Sequence, residues 1–226
     1  MIGCKIDEPT TYYYGLEESE RGLPGCAPRQ ACSALLQRYW RAPALVRLCR
    51  CGRRLRCPAS GVLDHRTVEL NNRSQFKFCQ PTTNWPMCSP GQIALISNTT
   101  FARLDPDELE ELHHQNVHLT PAKITFNCRC RQPNYWKFHS TSSDLKAQYF
   151  TCQTLPNCRT GDICGTVRAD LHSLYQTCLC PRHHICVHNG GVTYINMSEL
   201  LYRGKGRQAY CQRVSDDYDE DYYYDN

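Results

Sequence analysis

The chain has 226 residues, of which 17 are cysteine, about one in thirteen; hydrophobic residues make up 41% and the mean hydropathy is −0.58. Cysteine usage is several-fold above the ordinary level, and a chain this poor in aliphatic residues needs covalent bridges in place of missing burial. These figures argue against a reduced cytosolic enzyme. No run approaches the roughly 20 apolar residues of a membrane span, so no membrane insertion is expected.

Residues 1–25 form an acidic, tyrosine-rich segment of net charge −3 that contains "TYYYGLEESE" and Cys4. Its start has neither the basic nor the apolar stretch of a secretory leader. Disulfides persist in oxidising compartments, so a secreted protein with a truncated or misassigned start is expected.

From Cys26 onward the cysteines fall into three groups, the mark of internal repetition. Module 1, residues 26–79, holds Cys26, Cys32, Cys49, Cys51, Cys57 and Cys79. Module 3, residues 158–211, holds Cys158, Cys164, Cys178, Cys180, Cys186 and Cys211 in the same order, with the same five-residue gaps around a Cys-x-Cys. Module 2, residues 88–152, keeps only Cys88, Cys128, Cys130 and Cys152. The openings "CAPRQAC", "CSPGQIA" and "CRTGDIC" align, which puts Ala94 at the second-cysteine position of module 2. Counting five residues past Cys130 puts Trp136 at the fifth. Two cysteines missing together imply one missing bond, so the second and fifth should pair: Cys32 with Cys57, and Cys164 with Cys186. For the remaining four, pairing within Cys-x-Cys is disfavoured by geometry. A crossing first–fourth, third–sixth arrangement is expected, with a nested first–third, fourth–sixth arrangement as the alternative, since spacing cannot settle connectivity. Cys4 is left odd.

These spacings are not those of zinc sites, and no metal or other cofactor is expected. The histidine triplets His113/His114/His118 and His183/His184/His188 are read as a helix end and as residues flanking a bridge. Three N-glycosylation sequons, at Asn72, Asn98 and Asn196, fit a secreted protein.

Short alternating runs dominate within the modules. "VELNNRSQFKFC" places Val68 and Leu70, then Phe76 and Phe78, at strand spacing around a turn at Asn71-Asn72. "KITFNCRC" puts Ile124, Phe126, Cys128 and Cys130 on one face, and "GGVTYINM" follows a Gly190-Gly191 turn with strand formers. One helix is expected in module 2, over 105–115: Asp105 is a capping residue, Pro106 suits the first turn, and Asp107 and Glu108 complement its positive end. The fold class is therefore all-β, small and disulfide-rich: three tandem finger-like hairpin modules with one short helix inserted in the second. The proline-containing linkers "QPTTNWPM" and "QTLPN" suggest a semi-rigid string.

Charge is segregated. Module 1 has 11 basic and 2 acidic residues, net +9; module 2 is neutral, module 3 is +3, and the tail 212–226 is −5. The densest basic stretch holds Arg47, Arg50, Arg53, Arg54 and Arg56, a candidate site for a polyanion such as heparan sulfate; nucleic acid does not fit a secreted chain. In the tail, Tyr218, Tyr222, Tyr223 and Tyr224 lie among acids and are candidate sulfotyrosines. No nucleophile elbow, zincin motif or phosphate loop occurs, so no enzyme activity is expected.

Three aligned openings, each with a central Cys-x-Cys at 49–51, 128–130 and 178–180, resemble the Argos (giant-lens protein) family of secreted EGF-receptor-pathway antagonists, from Cys26 to Cys211. The resemblance implies three β-rich, disulfide-bonded modules that clamp and sequester an EGF-like growth factor. Tyr135, Trp136 and Phe138 of "NYWKFH" and the 105–115 segment are candidate contacts, with Trp136 alternatively a core residue replacing the absent bridge. Two other functions stay open: a matrix-bound agonist or growth-factor-like ligand, and a knottin-like protease inhibitor or toxin array.

Overall fold

The computed structural model describes residues 9–13, 19–36, 42–60, 64–71, 74–98, 111, 114–115, 120–131, 134–144, 146–169, 174–188, 194–199 and 202–214. Its strands fall into three sheets, one for each cysteine group. The first contains β1 (Thr10–Tyr13), β2 (Ala31–Leu36), β3 (Ala44–Arg47), β4 (Thr67–Asn71) and β5 (Ser74–Phe78), in the order β1-β3-β2-β5-β4. The second contains β6 (Ile93–Asn98), β7 (Lys123–Phe126), β8 (Asn134–Thr141) and β9 (Ala147–Thr154), in the order β7-β6-β9-β8. The third contains β10 (Ile163–Arg168), β11 (Leu174–Gln176), β12 (His184–Val187), β13 (Ile195–Glu199) and the long β14 (Tyr202–Arg213). Its order is β11-β10-β14-β12, with β13 also paired to β14. Neighbours are antiparallel except for β1, which runs parallel to β3.

The three sheets repeat one local design. Each begins with a proline two residues before the first cysteine, and the peptides around it bridge to the Cys-x-Cys. Cys26, Cys88 and Cys158 donate to the carbonyls of Arg50, Arg129 and Leu179, and these residues donate back to Pro24, Pro86 and Pro156, all at 2.8–2.9 Å. A tight turn follows, closed by Gln30 to Ala27, Gln92 to Ser89 and Asp162 to Arg159, each at 3.1 Å. The side chains of Gln30, Gln92 and Asp162 accept from the first turn residue at 2.8, 2.9 and 2.8 Å. Such a turn needs positive φ at its third residue, which is Arg29 at 56°, Gly91 at 73° and Gly161 at 82°. A β-bulge comes next in β2, β6 and β10, at Cys32, Ala94 and Cys164.

Eight disulfides join the described cysteines. Cys32 is bonded to Cys57 and Cys164 to Cys186. The other bonds are first to third (Cys26–Cys49, Cys88–Cys128, Cys158–Cys178) and fourth to sixth (Cys51–Cys79, Cys130–Cys152, Cys180–Cys211). The crossing arrangement expected from sequence is thereby corrected to the nested one. The reason is the parallel bridge between the Cys-x-Cys and the opening, which brings the first cysteine beside the third.

Packing corrects the string-like picture of modules 1 and 2, whose sheets share one core. Phe126 of β7 packs edge-on against Phe76 and Phe78 of β5 at 5.8 and 5.3 Å between centroids, and Trp85 of the linker stands 4.8 Å from Phe78. Leu95, Ile124 and Phe150 from the second sheet join Ala34, Leu36 and Val46 from the first in the same cluster. The backbone crosses as well: Phe126 donates to the Arg29 carbonyl at 3.1 Å, and the Arg29 guanidinium donates to the Asn127 carbonyl at 2.7 Å. The N-terminal segment contributes too, since Tyr12 and Tyr13 of β1 pack on this core and Leu23 is buried in it. Most of the expected helix over 105–115 lies outside the described residues; within it, Gln115 donates to the Glu111 carbonyl at 3.1 Å in one helical turn. A three-residue 3-10 turn, Glu20–Gly22, is the other helical segment among the described residues.

Candidate ligand-binding surface

Side chains directly opposite one another in a sheet, and those two apart along a strand, share a face. The register therefore gives every sheet a front and a back. The front of the first carries Ala31, Ala34, Phe76 and Phe78, all buried. The back of the second carries Leu95, Phe126 and Phe150, also buried, and the two faces meet in the shared core.

The front of the second sheet is less covered. Ile93, Ile96 and Tyr149 are half-buried, Thr151 is buried, and Lys137 reaches the third module by donating to the Gln176 carbonyl at 3.0 Å. The front of the third sheet is open. Ile163 and Ile185 are 47% and 50% exposed, and Tyr210 and Val187 between them are half-buried. Burial of equivalent positions thus falls from module to module, ending in an exposed apolar face on a rigid sheet. Sequence reasoning missed this face; aligning the residue before each second cysteine (Ala31, Ile93, Ile163) would have revealed it.

The residues singled out from sequence separate clearly. Tyr135 and Phe138 are 43% and 44% exposed on β8, the edge strand of the second sheet. Trp136 is not exposed with them: it lies edge-on to Phe126 at 5.2 Å and packs on the shared core. It stands opposite Cys152, just as Cys186 stands opposite Cys211 in module 3, so it occupies the place of the missing fifth cysteine.

Of the arginine cluster, Arg47 is buried and paired with Glu20, and burial lowers its basicity. Arg50, Arg53, Arg54 and Arg56 are exposed. The buried Lys77 donates to Thr67 at 3.0 Å, and Thr67 in turn donates to Asp64 at 2.7 Å. Asn98 and Asn196 are exposed at strand positions, whereas Asn72, Cys4 and the tyrosines at 218, 222, 223 and 224 lie outside the described residues. His184 contacts Thr160 and the Arg182 carbonyl, and His188 contacts Arg207 at 2.7 Å. The cysteine sulfurs that cluster in threes, such as those of Cys26, Cys51 and Cys79, are all in disulfides and so cannot bind metal as thiolates. No helix among the described residues is long and apolar enough to cross a membrane.

No protein-family model matches the chain. U-scoloptoxin(11)-Sm5a of Scolopendra morsitans is 24% identical to it over 75% of this chain and 76% of that protein. The crystal structure of unliganded Argos is similar with a TM-score of 0.55 and 24% identity, covering 91% of this chain and 99% of that one. The small, disulfide-rich all-β architecture is therefore the Argos fold.

Proposed function

We propose that this protein is a secreted extracellular antagonist that binds and sequesters an EGF-like growth factor and so prevents activation of the EGF receptor. The observation that carries this reading is the fold, shared with Argos over nearly the full length of both chains. The eight disulfides suit an extracellular protein. Sequestration requires a preformed surface, because every side chain or loop ordered on binding lowers affinity. Bridged modules, two of them on a common core, supply that rigidity. The open front of module 3, with Ile163 and Ile185, and the edge strand bearing Tyr135 and Phe138 are the contact surfaces we assign to the ligand.

The test is binding of the oxidised, secreted protein to a panel of isolated EGF-like growth factors and, separately, to the EGF-receptor ectodomain. Capture of a growth factor without receptor binding is expected, and Ile163→Glu with Ile185→Glu should weaken it at least about tenfold, the effect of removing a central anchor. Binding to the receptor instead would make the protein a receptor ligand. Binding to neither would favour a second reading, a venom-type toxin, which the likeness to the scoloptoxin supports.

A further inference from the structure

We propose that the Arg50–Arg56 segment of module 1 is a binding site for a sulfated polysaccharide, held by Arg50, Arg53, Arg54 and Arg56. After the fourth cysteine, modules 1 and 3 make the same turn: Leu55 donates to Gly52 at 3.1 Å and His184 to Pro181 at 3.1 Å. The third residue is left-handed in modules 1 and 3, with Arg54 at φ 67° and His183 at φ 59°. The backbone geometry therefore does not call for arginine, because module 3 makes the turn with Pro181, Arg182, His183 and His184. Arginine at position 54 is in fact unfavourable, since a left-handed residue bearing a Cβ meets a steric cost that glycine avoids.

Charge satisfaction separates these four arginines from their neighbours. Arg47 pairs with Glu20, Arg66 pairs with Asp64 at 3.6 Å, and Arg29 is bonded to Asn127. The side chains of Arg50, Arg53, Arg54 and Arg56 have no ion pair or hydrogen bond among the described residues. The Cys51–Cys79 and Cys32–Cys57 bridges fix the turn at both ends, so the charges are displayed on a backbone that needs no ordering. Guanidinium groups grip sulfate oxygens through paired, charge-assisted hydrogen bonds. The segment has no aromatic ring on which a nucleobase could stack, and its residues 52–56 are all exposed, leaving no pocket for a peptide side chain. Repeated sulfates along a flexible sugar chain are the anion that such a tip fits best.

The experiment compares salt elution from heparin resin and from a sulfopropyl exchanger, using the full disulfide-bonded chain without growth factor, so that its outcome is independent of the antagonist reading. The wild type should leave heparin later than the exchanger and well above the physiological 0.15 M salt. Replacing Arg50, Arg53, Arg54 and Arg56 by Gln should bring heparin elution to about 0.15 M or below. A charge-matched control with Gln at Arg131, Arg159, Arg182 and Arg213 should keep most of the retention. The single substitution Arg54→Gly, which relieves the strain, should lower heparin elution while raising the melting temperature. Equal losses in the two fourfold variants, or no later elution from heparin than from the exchanger, would reduce the effect to net charge and overturn the site. Displacement by a sulfotyrosine peptide at lower concentration than by a heparin oligosaccharide would overturn it in favour of a protein partner.

Discussion

Phe126 in module 2 and Gln176 in module 3 occupy the same place in the register, opposite Leu95 and Gly165 respectively. Phe126 is buried and touches the rings of Phe76, Phe78, Trp85 and Trp136. Gln176 is half-buried, and its carbonyl accepts from Lys137. Around Gln176 the buried core of module 3 is Ala209 and disulfide cysteines, with the partly buried Val167 and Leu174 against it. Gly165 cannot enlarge it, since an added Cβ would lie 2.6 Å from the Tyr175 carbonyl oxygen. One framework is thus stabilised in two ways, by aromatic burial in modules 1 and 2 and by covalent bonds in module 3. Module 3 buries less: Val167 and Leu174 are only partly buried against its cysteines, while Ile163 and Ile185 are kept on the open front.

The largest effect expected from this contrast is at Phe126. Phe126→Ala should cost about 3–5 kcal/mol and loosen modules 1 and 2 together, as denaturant unfolding followed by tryptophan fluorescence would register. Loss confined to module 2, with module 1 amides still protected from exchange, would break the claim of a shared core. Next comes the module 3 bridge. Replacing Cys164 and Cys186 by Ala removes a cross-link of sequence separation 22, worth about 3 kcal/mol. With no aromatic core to fall back on, module 3 alone should become protease-sensitive. The same change at Cys32 and Cys57 should leave module 1 folded, held by its buried β2 and β5.

Much of this was legible in the sequence because bridges leave a pattern that composition cannot hide. The absence of two cysteines from module 2 located both ends of a bond, and alternation found the two strands of the β4–β5 hairpin, in which Val68 stands opposite Phe76. What sequence did not reveal depends on the stacking of one module on the next. Trp136 and Tyr135 are adjacent in "NYWKFH", yet one faces the shared core and the other solvent, and nothing local distinguishes the sides. Likewise Arg47 reads as one more cation in a basic run until Glu20, 27 residues earlier, folds back to meet it.

Smaller effects sharpen the comparison at single positions. Asp64 would be raised by its burial, but hydrogen bonds from Thr67 and the Arg66 amide, with the charges of Arg66 and Lys77, hold it below the usual carboxylate range. Its contribution is fully present above the unfolded value of about 3.9 and is lost as pH falls through the lower folded value. Module 1 should therefore lose stability in strong acid, and Asp64→Asn should flatten that part of a pH–melting curve. At the opening turns, Gly91→Ala and Gly161→Ala should each cost about 1 kcal/mol. Nothing lies within 4 Å of the added methyl at either site, so the cost is that of the left-handed backbone alone.

The smallest net change is expected from restoring to module 2 the bond it lacks. Ala94 is fully buried at the same bulge as Cys32 and Cys164, and Trp136 faces Cys152 as Cys186 faces Cys211. Ala94→Cys with Trp136→Cys should therefore close a ninth bridge, seen as a mass two hydrogens lower and as two thiols that resist alkylation. The bridge would contribute about 3 kcal/mol, and the lost contact of a half-buried tryptophan with Phe126 would remove a similar amount, so the melting temperature should barely move. Trp136→Ala alone should then lower stability clearly, because the aromatic fills the place where the sibling modules have sulfur. Two free thiols in the double variant would mean that module 2 has drifted from the shared framework at the position where Trp136 now joins it to module 1.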